Sequence, residues 1–215
     1  MHAEIELRTL DDTAALGRAL AGALRAGDAL ALRGELGAGK TTLVRAIAEA
    51  RGIDPALVSS PTFVMVNEYP PPAPGEPPIV HVDAYRLRGE DDLDALGWDR
   101  LADGSAVLIV EWADRIAHAL PPHRTAWVTL AVTGESSRRA DIEAPGSWAE
   151  RAGIPWVGTP DCAPTATVCP ITGRSVPADA PTWPFADERA RMADFYRWMS
   201  GQYAIERKPA EEDEE

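Results

Sequence analysis

An eight-residue segment near the start of the chain limits its possible folds more than any other feature. Residues 34 to 41 read Gly-Glu-Leu-Gly-Ala-Gly-Lys-Thr and fit the pattern G-x-x-x-x-G-K-[ST]. An apolar run from Asp28 to Arg33 precedes the segment, and a helix-like segment from Thr41 to Arg51 follows it. In such a turn, backbone N–H groups and the positive end of the helix converge on phosphate oxygens. The segment therefore predicts a phosphate-binding P-loop between a strand and a helix.

The predicted P-loop gives specific roles to its charged and hydroxyl side chains. We expect the Lys40 amine to reach the β- and γ-phosphates and the Thr41 hydroxyl to bind Mg²⁺. The alternative is a glycine turn that only caps a helix, and the strand and helix on either side disfavour it. The predicted nucleotide-binding residues of the loop are Glu35, Gly37, Ala38, Gly39, Lys40, Thr41 and Thr42.

Acidic residues follow two later apolar runs. Asp83 comes directly after residues 79–82, and Glu111 comes directly after residues 107–110. Both carboxylates are expected at the carboxyl edge of the sheet, where ligands bind in open α/β folds and where Mg²⁺ is held directly or through water. For Glu111 an alternative stays open, because acidic residues are also favoured in the first turn of a helix.

Between the P-loop and Asp83 lies a short polar segment, residues 59–63, at the place where nucleotide hydrolases have a switch segment. Thr62 is the residue expected to sense the γ-phosphate and Mg²⁺, although Ser-Pro-Thr is also an ordinary turn sequence. Trp112 is expected either in the core or closing the site. His81 is expected to be structural, and Arg86 to form a surface ion pair.

Alternating strand and helix signals over the first 140 or so residues predict the fold class. They indicate an α/β P-loop NTPase with a mainly parallel central sheet and a small C-terminal extension. The predicted segments are a strand at Glu4–Leu7, a helix capped by Thr9 and stopped by Gly27, a loop at Pro70–Pro78, a strand at Ile79–Asp83, a helical segment at Glu90–Leu101 broken near Gly97, a strand at Ala106–Val110, a strand pair at Thr125–Val132 and Arg138–Ile142, and a late helix near Ala186–Ser200.

Composition narrows the function classes. The 215 residues carry a formal net charge of -13, which argues against a protein that wraps nucleic acid by charge alone. Two cysteines are too few for a disulfide scaffold, and no apolar run is long enough to span a bilayer, so we expect a cytoplasmic protein that is not in a membrane. Composition shifts predict a P-loop ATPase domain at 1–144, a linker at 145–168, a small segment at 169–206 and an acidic disordered tail at 207–215.

Taken in order, these segments resemble the TsaE (YjeE) family, the ATPase subunit of bacterial tRNA threonylcarbamoyladenosine synthesis. The resemblance covers roughly residues 3 to 143. The matching blocks are Gly34–Thr42, Ser60–Phe63, His81–Leu87, Leu96–Gly97, Ile109–Ala113 with Arg115, and Ser137–Arg139.

The resemblance implies binding of ATP and Mg²⁺ and slow ATP hydrolysis. It also implies two partner proteins, TsaB and TsaD, which install threonylcarbamoyl on the adenosine beside the anticodon, so that tRNA is met indirectly through the complex. By position, it implies catalytic roles for Lys40, Thr62 and Glu111, metal binding by Thr41, Asp83 and Glu111, a switch role for Thr62 and a place beside the nucleotide for Trp112.

Residues 169 to 206 resemble a second family, the YacG type of small zinc-ribbon protein known as DNA gyrase inhibitors. Matching stretches begin at Cys169, Trp183 and Asp194. Four cysteines bind zinc in that family, whereas threonine and alanine, which replace three of them here, cannot act as thiolate ligands, so we expect no zinc. The four positions read Cys169, Thr172, Ala186 and Ala190.

Without a metal, so small a segment rarely has a core of its own. Its aromatic residues are therefore expected to pack on each other or on the ATPase domain; they are Trp183, Phe185, Phe195, Tyr196 and Trp198. An extension with accidental similarity is the alternative.

Two other functions stay open at this point. One is a small-molecule P-loop kinase, which would need a lid with arginines and an acceptor pocket. The other is a nucleotide-sensing regulator or binding module that uses the C-terminal segment, for example against a topoisomerase.

Overall fold

A computed structural model describes residues 1–71, 73–149, 151, 153, 154, 167–177, 180, 182 and 185–199. The chain divides into two units, Met1–Asp161 and Cys162–Glu215. Within the first unit the predicted α/β fold is confirmed. Its strands are β1 (His2–Leu7), β2 (Ala29–Arg33), β3 (Val66–Tyr69), β4 (Ile79–Asp83), β5 (Val107–Glu111), β6 (Thr125–Val132) and β7 (Arg138–Glu143), and its helices are α1 (Leu10–Ala23), α2 (Lys40–Ala50), α3 (Glu90–Leu96), α4 (Trp98–Leu101) and α5 (Gly146–Ala149).

The seven strands form one mixed sheet in the order β1-β7-β6-β2-β5-β4-β3. The four central strands are parallel, as predicted, because β2 pairs with both β5 and β6 and β4 pairs with β5. The outer pairs are antiparallel, with β6 and β7 forming the expected hairpin, β1 next to β7, and β3 next to β4. The parallel centre places the ends of β2, β4 and β5 at one edge of the sheet.

Strand β3 was not predicted. It has only four residues, of which Asn67 and Glu68 are polar, and it follows directly on Met65, whose φ of 65° is in the left-handed region. A short, polar strand at a sheet edge has almost no hydrophobic alternation to reveal it, and its pairing with β4 supplies the order.

Helix α1 begins as predicted but ends earlier. The Thr9 hydroxyl accepts from the N–H of Asp12, and the Asp12 carboxylate accepts from the Thr9 N–H, which completes a capping box. The predicted stop at Gly27 is wrong, because the helix ends at Ala23 and the chain turns extended at Leu24. The Arg25 N–H donates to Asp28 Oδ2 at 2.9 Å and does not continue the helical hydrogen-bond pattern, so the helix ends before the glycine is reached.

The predicted break in the segment at 90–101 is confirmed. Helix α3 ends at Leu96 and α4 starts at Trp98, with Gly97 between them at φ 70°. Only glycine adopts this left-handed conformation without strain, so the residue type fixes the position of the break.

Helices α1 and α2 cover one face of the sheet and enclose the main core. Alternate residues of β4 and β5 belong to the same core, as strand geometry requires. Fully buried members include Leu16, Leu20, Leu30, Leu32, Leu43, Val44, Ile47, Ile79, Val107, Ile109, Val128 and Ile142.

The contact between α1 and α2 depends on a glycine. A Cβ at Gly17 would lie 2.5 Å from the Ala46 Cβ, whereas a Cβ at Gly22 in the same helix would meet nothing within 4 Å. We expect Gly17→Ala to lower the free energy of unfolding by about 1–3 kcal/mol, because the two helices must move apart. Gly22→Ala is the matched control and is expected to raise it by about 0.5–1 kcal/mol. Urea unfolding followed by circular dichroism measures both, and equal shifts in the two variants would contradict this account of the helix contact.

The first unit continues past the predicted end of its domain. Trp148 in α5 and Ile154 are buried members of the main core, although the predicted linker starts at residue 145. Arg151 also joins this unit, since its guanidinium lies 2.8 Å from the buried carboxylate of Asp28. The other predicted segment boundaries stay predictions.

The second unit contains a short antiparallel pair and a helix. Strands β8 (Thr167–Val168) and β9 (Ser175–Val176) pair, and α6 (Glu188–Met199) falls close to the predicted late helix. Of the five aromatic residues expected to pack, Phe185 is buried and Tyr196 is exposed, while Trp183 lies outside the described residues. The acidic tail at 207–215 also lies outside them. In the part of the chain that the structure describes, no helix has the length and apolarity needed to cross a membrane.

Candidate nucleotide-binding site

Strand register brings the predicted acidic residues together. Asp83 and Glu111 are the last residues of β4 and β5, and they stand opposite each other in the parallel pair. Both side chains lie on the face that carries α2, because Ile79 and Ile109, which share their parity, belong to the core under that helix. His81 has the same parity and stands diagonally beside Glu111.

The P-loop connects β2 to α2 at this edge. Its first glycine, Gly34, is required by close packing, since a Cβ there would lie 2.5 Å from the Leu130 carbonyl oxygen. Gly39 stands before α2 and, as a glycine, provides no side-chain cap for the amides of the first helical turn. Uncapped N–H groups at a helix N-terminus form a site for a phosphate group.

Lys40 is buried at the start of α2 and points back into the loop. Its ammonium donates to the carbonyl oxygens of Gly34 at 2.7 Å and Glu35 at 2.8 Å. It also lies 3.9 Å from the ring centroid of Trp112. The amine is therefore held by two carbonyls and an aromatic face at the start of α2.

Thr41, Glu111 and His81 form one hydrogen-bonded group. The Thr41 hydroxyl donates to Glu111 Oε1 at 2.8 Å, and His81 Nε2 lies 2.9 Å from the same oxygen. Burial acts to raise the pKa of Glu111, but the hydrogen bond and charge of His81, the charge of Lys40 and the Thr41 hydrogen bond outweigh it. The pKa of Glu111 therefore lies below its ordinary value, and the side chain is a carboxylate at neutral pH.

Thr62 and Asp83 form a second group beside the first. The Thr62 hydroxyl donates to Asp83 Oδ2 at 2.7 Å, and Ser60 Oγ lies 2.7 Å from the Thr62 hydroxyl oxygen. Burial, followed by the negative charge of Glu111, raises the pKa of Asp83 above its ordinary value, against the hydrogen bonds from Thr62 and the Tyr85 N–H. Two neighbouring buried carboxylates of this kind favour a cation between or near them.

Trp112 directly follows β5, and its ring packs against Lys40 beside these groups. It is one of two non-glycine residues described with positive φ, at 58°, and its ring lies 5.0 Å from that of Tyr85. A bulky residue in the left-handed region costs about 1–3 kcal/mol, and such strain is concentrated at functional sites. Trp112 is 5% exposed and its ring contacts Lys40, while its predicted place beside a nucleotide stays a prediction.

A cavity of about 240 Å³ adjoins the outer side of the P-loop. Polar groups from three elements surround it, and the Arg138 guanidinium lies 3.4 Å from the Gly37 carbonyl oxygen at its margin. Of the predicted nucleotide-binding residues, four line this cavity directly. Its lining includes Thr9, Thr13, Gly37, Ala38, Gly39, Thr42 and Arg138.

The donor set fits Mg²⁺ bound together with a nucleotide. Among the described residues no group of three or more His, Cys, Asp or Glu side chains is arranged to hold a metal ion by itself. Thr41, Asp83 and Glu111 nevertheless offer one hydroxyl and two carboxylates, the hard oxygen ligands that Mg²⁺ takes alongside phosphate oxygens and water. These residues fit a metal that arrives with its nucleotide.

Some contacts at the site were not predicted. His81 was expected to be structural, but its ring touches Glu111, and the shared parity of residues 81 and 83 was the signal that placed them on one face. Ser60 and the cavity residues Thr9 and Thr13 were not singled out either. Arg86 was expected in a surface ion pair, and its guanidinium lies 5.0 Å from the Phe63 ring centroid.

The family model described as "Threonylcarbamoyl adenosine biosynthesis protein TsaE" matches residues 7–140. The chain belongs to the TsaE family. The Bacillus subtilis protein named tRNA threonylcarbamoyladenosine biosynthesis protein TsaE is 36% identical to this chain over 146 residues, which cover 67% of this chain and 88% of the relative. The Streptomyces coelicolor protein of the same name is 51% identical over 100 residues, which cover 46% of this chain and 66% of the relative. The Mycobacterium tuberculosis H37Rv protein of that name is 41% identical over 120 residues, which cover 53% of this chain and 70% of the relative.

A solved structure supports the fold. The crystal structure of YdiB from Bacillus subtilis is similar to this chain with a TM-score of 0.57 and 31% identity, covering 70% of this chain and 90% of YdiB. The chain therefore shares the fold of YdiB over 70% of its length.

A second family model, described as "DNA gyrase inhibitor YacG", matches residues 167–215. The residues at the four zinc positions do not fit the metal, because Cys169 is the one thiol among them and it is buried. Burial acts to raise its pKa, but hydrogen bonds from the Thr172 hydroxyl and from backbone groups of Ala186, Thr172 and Ile171 outweigh it, so the pKa of Cys169 is lowered.

Proposed function

We propose that this TsaE-family chain binds and hydrolyses ATP as a subunit of a cytoplasmic assembly that makes threonylcarbamoyladenosine in tRNA. Its partners in this proposal are TsaB and TsaD, and tRNA is met through the complex. The observation that carries the proposal is the convergence of Lys40, Thr41 and the carboxylates of Asp83 and Glu111 at the end of the P-loop. The names of the relatives connect this site to tRNA modification.

In this proposal the phosphate chain of ATP lies along the P-loop. Lys40 leaves the carbonyls of Gly34 and Glu35 and donates to the β- and γ-phosphates. The base and ribose lie toward the cavity that Thr9, Thr42 and Arg138 line. The face of the Trp112 ring that contacts the Lys40 amine would then be turned toward the phosphates.

Mg²⁺ would be held by the Thr41 hydroxyl, with Asp83 and Glu111 binding it directly or through water, and it would neutralise charge that develops on the phosphates. Thr62 would exchange its hydrogen bond with Asp83 for a contact with the nucleotide, as a switch threonine does. Glu111 would orient the attacking water. Because the reaction is mainly a matter of positioning, partners that order these groups would set its rate.

Phosphate release from ATP and Mg²⁺ tests the proposal, measured with the chain alone and with purified TsaB and TsaD. We expect a slow rate that changes several-fold with the partners, and threonylcarbamoyladenosine in tRNA when the full set is present. Lys40→Ala should lower the rate by at least about 10²-fold, because it removes the main positive side chain at the phosphates. Arg18→Ala, which removes an exposed cation of α1, is the matched control and should leave the rate unchanged.

The other outcomes select other functions. Hydrolysis that is indifferent to both partners would contradict the tRNA-modification role. Consumption of ATP only with a small acceptor, without free phosphate, would indicate a kinase. ATP binding without hydrolysis under any of these conditions would indicate a nucleotide-sensing binding module.

A further inference from the structure

His81 is a buried polar residue inside an apolar sheet. Its side chain is 0% exposed, and its Nε2 lies 2.9 Å from Glu111 Oε1. A carboxylate only accepts hydrogen bonds, so Nε2 carries the proton and donates in this contact. Glu111 thus fixes Nε2 as a donating nitrogen of the ring.

Packing alone does not account for a histidine at this position. The other ring nitrogen, Nδ1, is buried and has no hydrogen-bond partner within the described part of the chain. Tyr69 stacks on the ring, with centroids 6.4 Å apart and an angle of 28° between the planes. An apolar side chain of similar volume would make this contact without leaving a buried nitrogen unpaired, which costs stability. What a histidine adds here is the hydrogen bond to Glu111.

That hydrogen bond has a directional effect on Glu111. His81 and Thr41 both donate to Oε1, so the plane of the carboxylate is fixed by two donors on one oxygen. The second oxygen, Oε2, makes no hydrogen bond to any residue that the structure describes. It is therefore the oxygen left for water or a metal ion.

The two donors differ in what happens when the site is loaded. Thr41 is a proposed metal ligand, so its hydroxyl has to share or release Oε1 when Mg²⁺ binds. His81 donates to Glu111 Oε1 from β4 and has no metal ligand role, so its hydrogen bond can stay in place. It is then the one donor among the described residues that keeps Glu111 in place throughout.

We propose that His81 is a positioning residue, which holds Glu111 through Nε2–H so that Oε2 is directed at the metal-bound or attacking water. This inference rests on the proposed function for the identity of the reaction. It assigns to the histidine a role in orienting Glu111, and none in contact with the nucleotide.

Three substitutions separate positioning from packing. His81→Gln keeps an amide donor at about the reach of Nε2. His81→Asn carries its donor closer to the backbone, near the place of Nδ1, and His81→Leu has no donor at all. Thermal unfolding of each variant shows whether the fold is retained.

Steady-state ATP hydrolysis in the presence of TsaB and TsaD provides the first readout. We expect His81→Leu and His81→Asn to lower kcat by about 10–100-fold, the usual effect of removing the partner that orients a metal-side ligand, with KM for ATP changed less than about threefold. His81→Gln should recover most of the loss. A KM that rises together with the fall in kcat, or equal activity in the Gln and Asn variants, would overturn the proposal.

The Mg²⁺ concentration needed for tight ADP binding provides a readout that does not depend on hydrolysis. Titration of Mg²⁺ into each variant with a fluorescent ADP should show a midpoint raised about tenfold or more in His81→Leu and restored in His81→Gln. An unchanged midpoint in His81→Leu overturns the positioning role even if the native chain hydrolyses ATP. Conversely, a native chain without hydrolysis defeats the proposed function, while the titration still decides the role of His81.

Discussion

An Asp83→Asn variant is expected to be more stable than the native chain without nucleotide, and to have lost most ATP hydrolysis. Asp83 is 2% exposed, stands opposite Glu111, and has a pKa raised by burial and by that neighbouring negative charge. Asparagine has nearly the same shape and retains an acceptor for the Tyr85 N–H while it removes the buried charge. The gain should be roughly 1–2 kcal/mol, because removing one of two neighbouring buried negative charges is worth about that much.

The pH dependence of this effect has a definite sign. The folded protein binds the Asp83 proton more tightly than the unfolded chain, whose value is 3.8. The free energy of unfolding of the native chain therefore falls as the pH rises from 3.8 through the higher folded pKa, and the full cost is present only above that folded pKa. Urea unfolding at several pH values should show the advantage of Asp83→Asn growing over this window and vanishing below it.

A surface aspartate provides the control. Asp103 is fully exposed, and hydrogen bonds from Ser105 lower its pKa. Asp103→Asn should therefore give no gain in the free energy of unfolding at neutral pH.

Hydrolysis by Asp83→Asn should fall by about 10²–10³-fold, as for other electrostatic groups at reacting phosphates. An Asp83→Asn chain that is less stable than the native chain at pH 7 would contradict the account of Asp83 as a strained metal-side acid.

Much of the fold could be predicted because several local signals agree. Thr9 and Asp12 mark the start of α1, Gly97 marks the break between α3 and α4, and the continuous apolar run at 107–110 marks a central parallel strand. The end of α1 could not be predicted in the same way. At its stop the Arg25 N–H donates to the buried carboxylate of Asp28, and local helix preferences do not include that contact.

In the candidate site, too, local sequence signals predicted some features, while tertiary contacts decide others. Residue types and spacing predicted Lys40, Thr41, Asp83 and Glu111, because phosphate and Mg²⁺ chemistry requires them at strand ends and at the start of a helix. The hydrogen bond between His81 and Glu111 depends on the register of β4 against β5, which sequence alone does not fix. The cavity beside Thr9 and Arg138 depends on the antiparallel strands β1 and β7 reaching the P-loop.

Glu111→Gln is expected to separate the charge of this residue from its position. The glutamine carbonyl oxygen can accept from both Thr41 and His81, as Oε1 does now, while the amide group replaces Oε2. The fold and the binding of nucleotide without Mg²⁺ should therefore change little. The rate of hydrolysis should fall by about 10²–10³-fold, because the group proposed to face Mg²⁺ and the attacking water has lost its charge.

Glu111→Asp gives the opposite change and completes the test. Aspartate keeps the charge but is shorter by one methylene, so its carboxylate cannot stay within 3 Å of both donors, which now lie at 2.8 Å and 2.9 Å. Both variants are compared by single-turnover hydrolysis and by Mg²⁺ titration with fluorescent ADP. If Glu111→Gln is inactive and Glu111→Asp partly active, the negative charge beside the metal is what hydrolysis needs. If Glu111→Gln keeps the native rate, the residue serves only to hold Thr41, and the acid that supports the reaction must be Asp83.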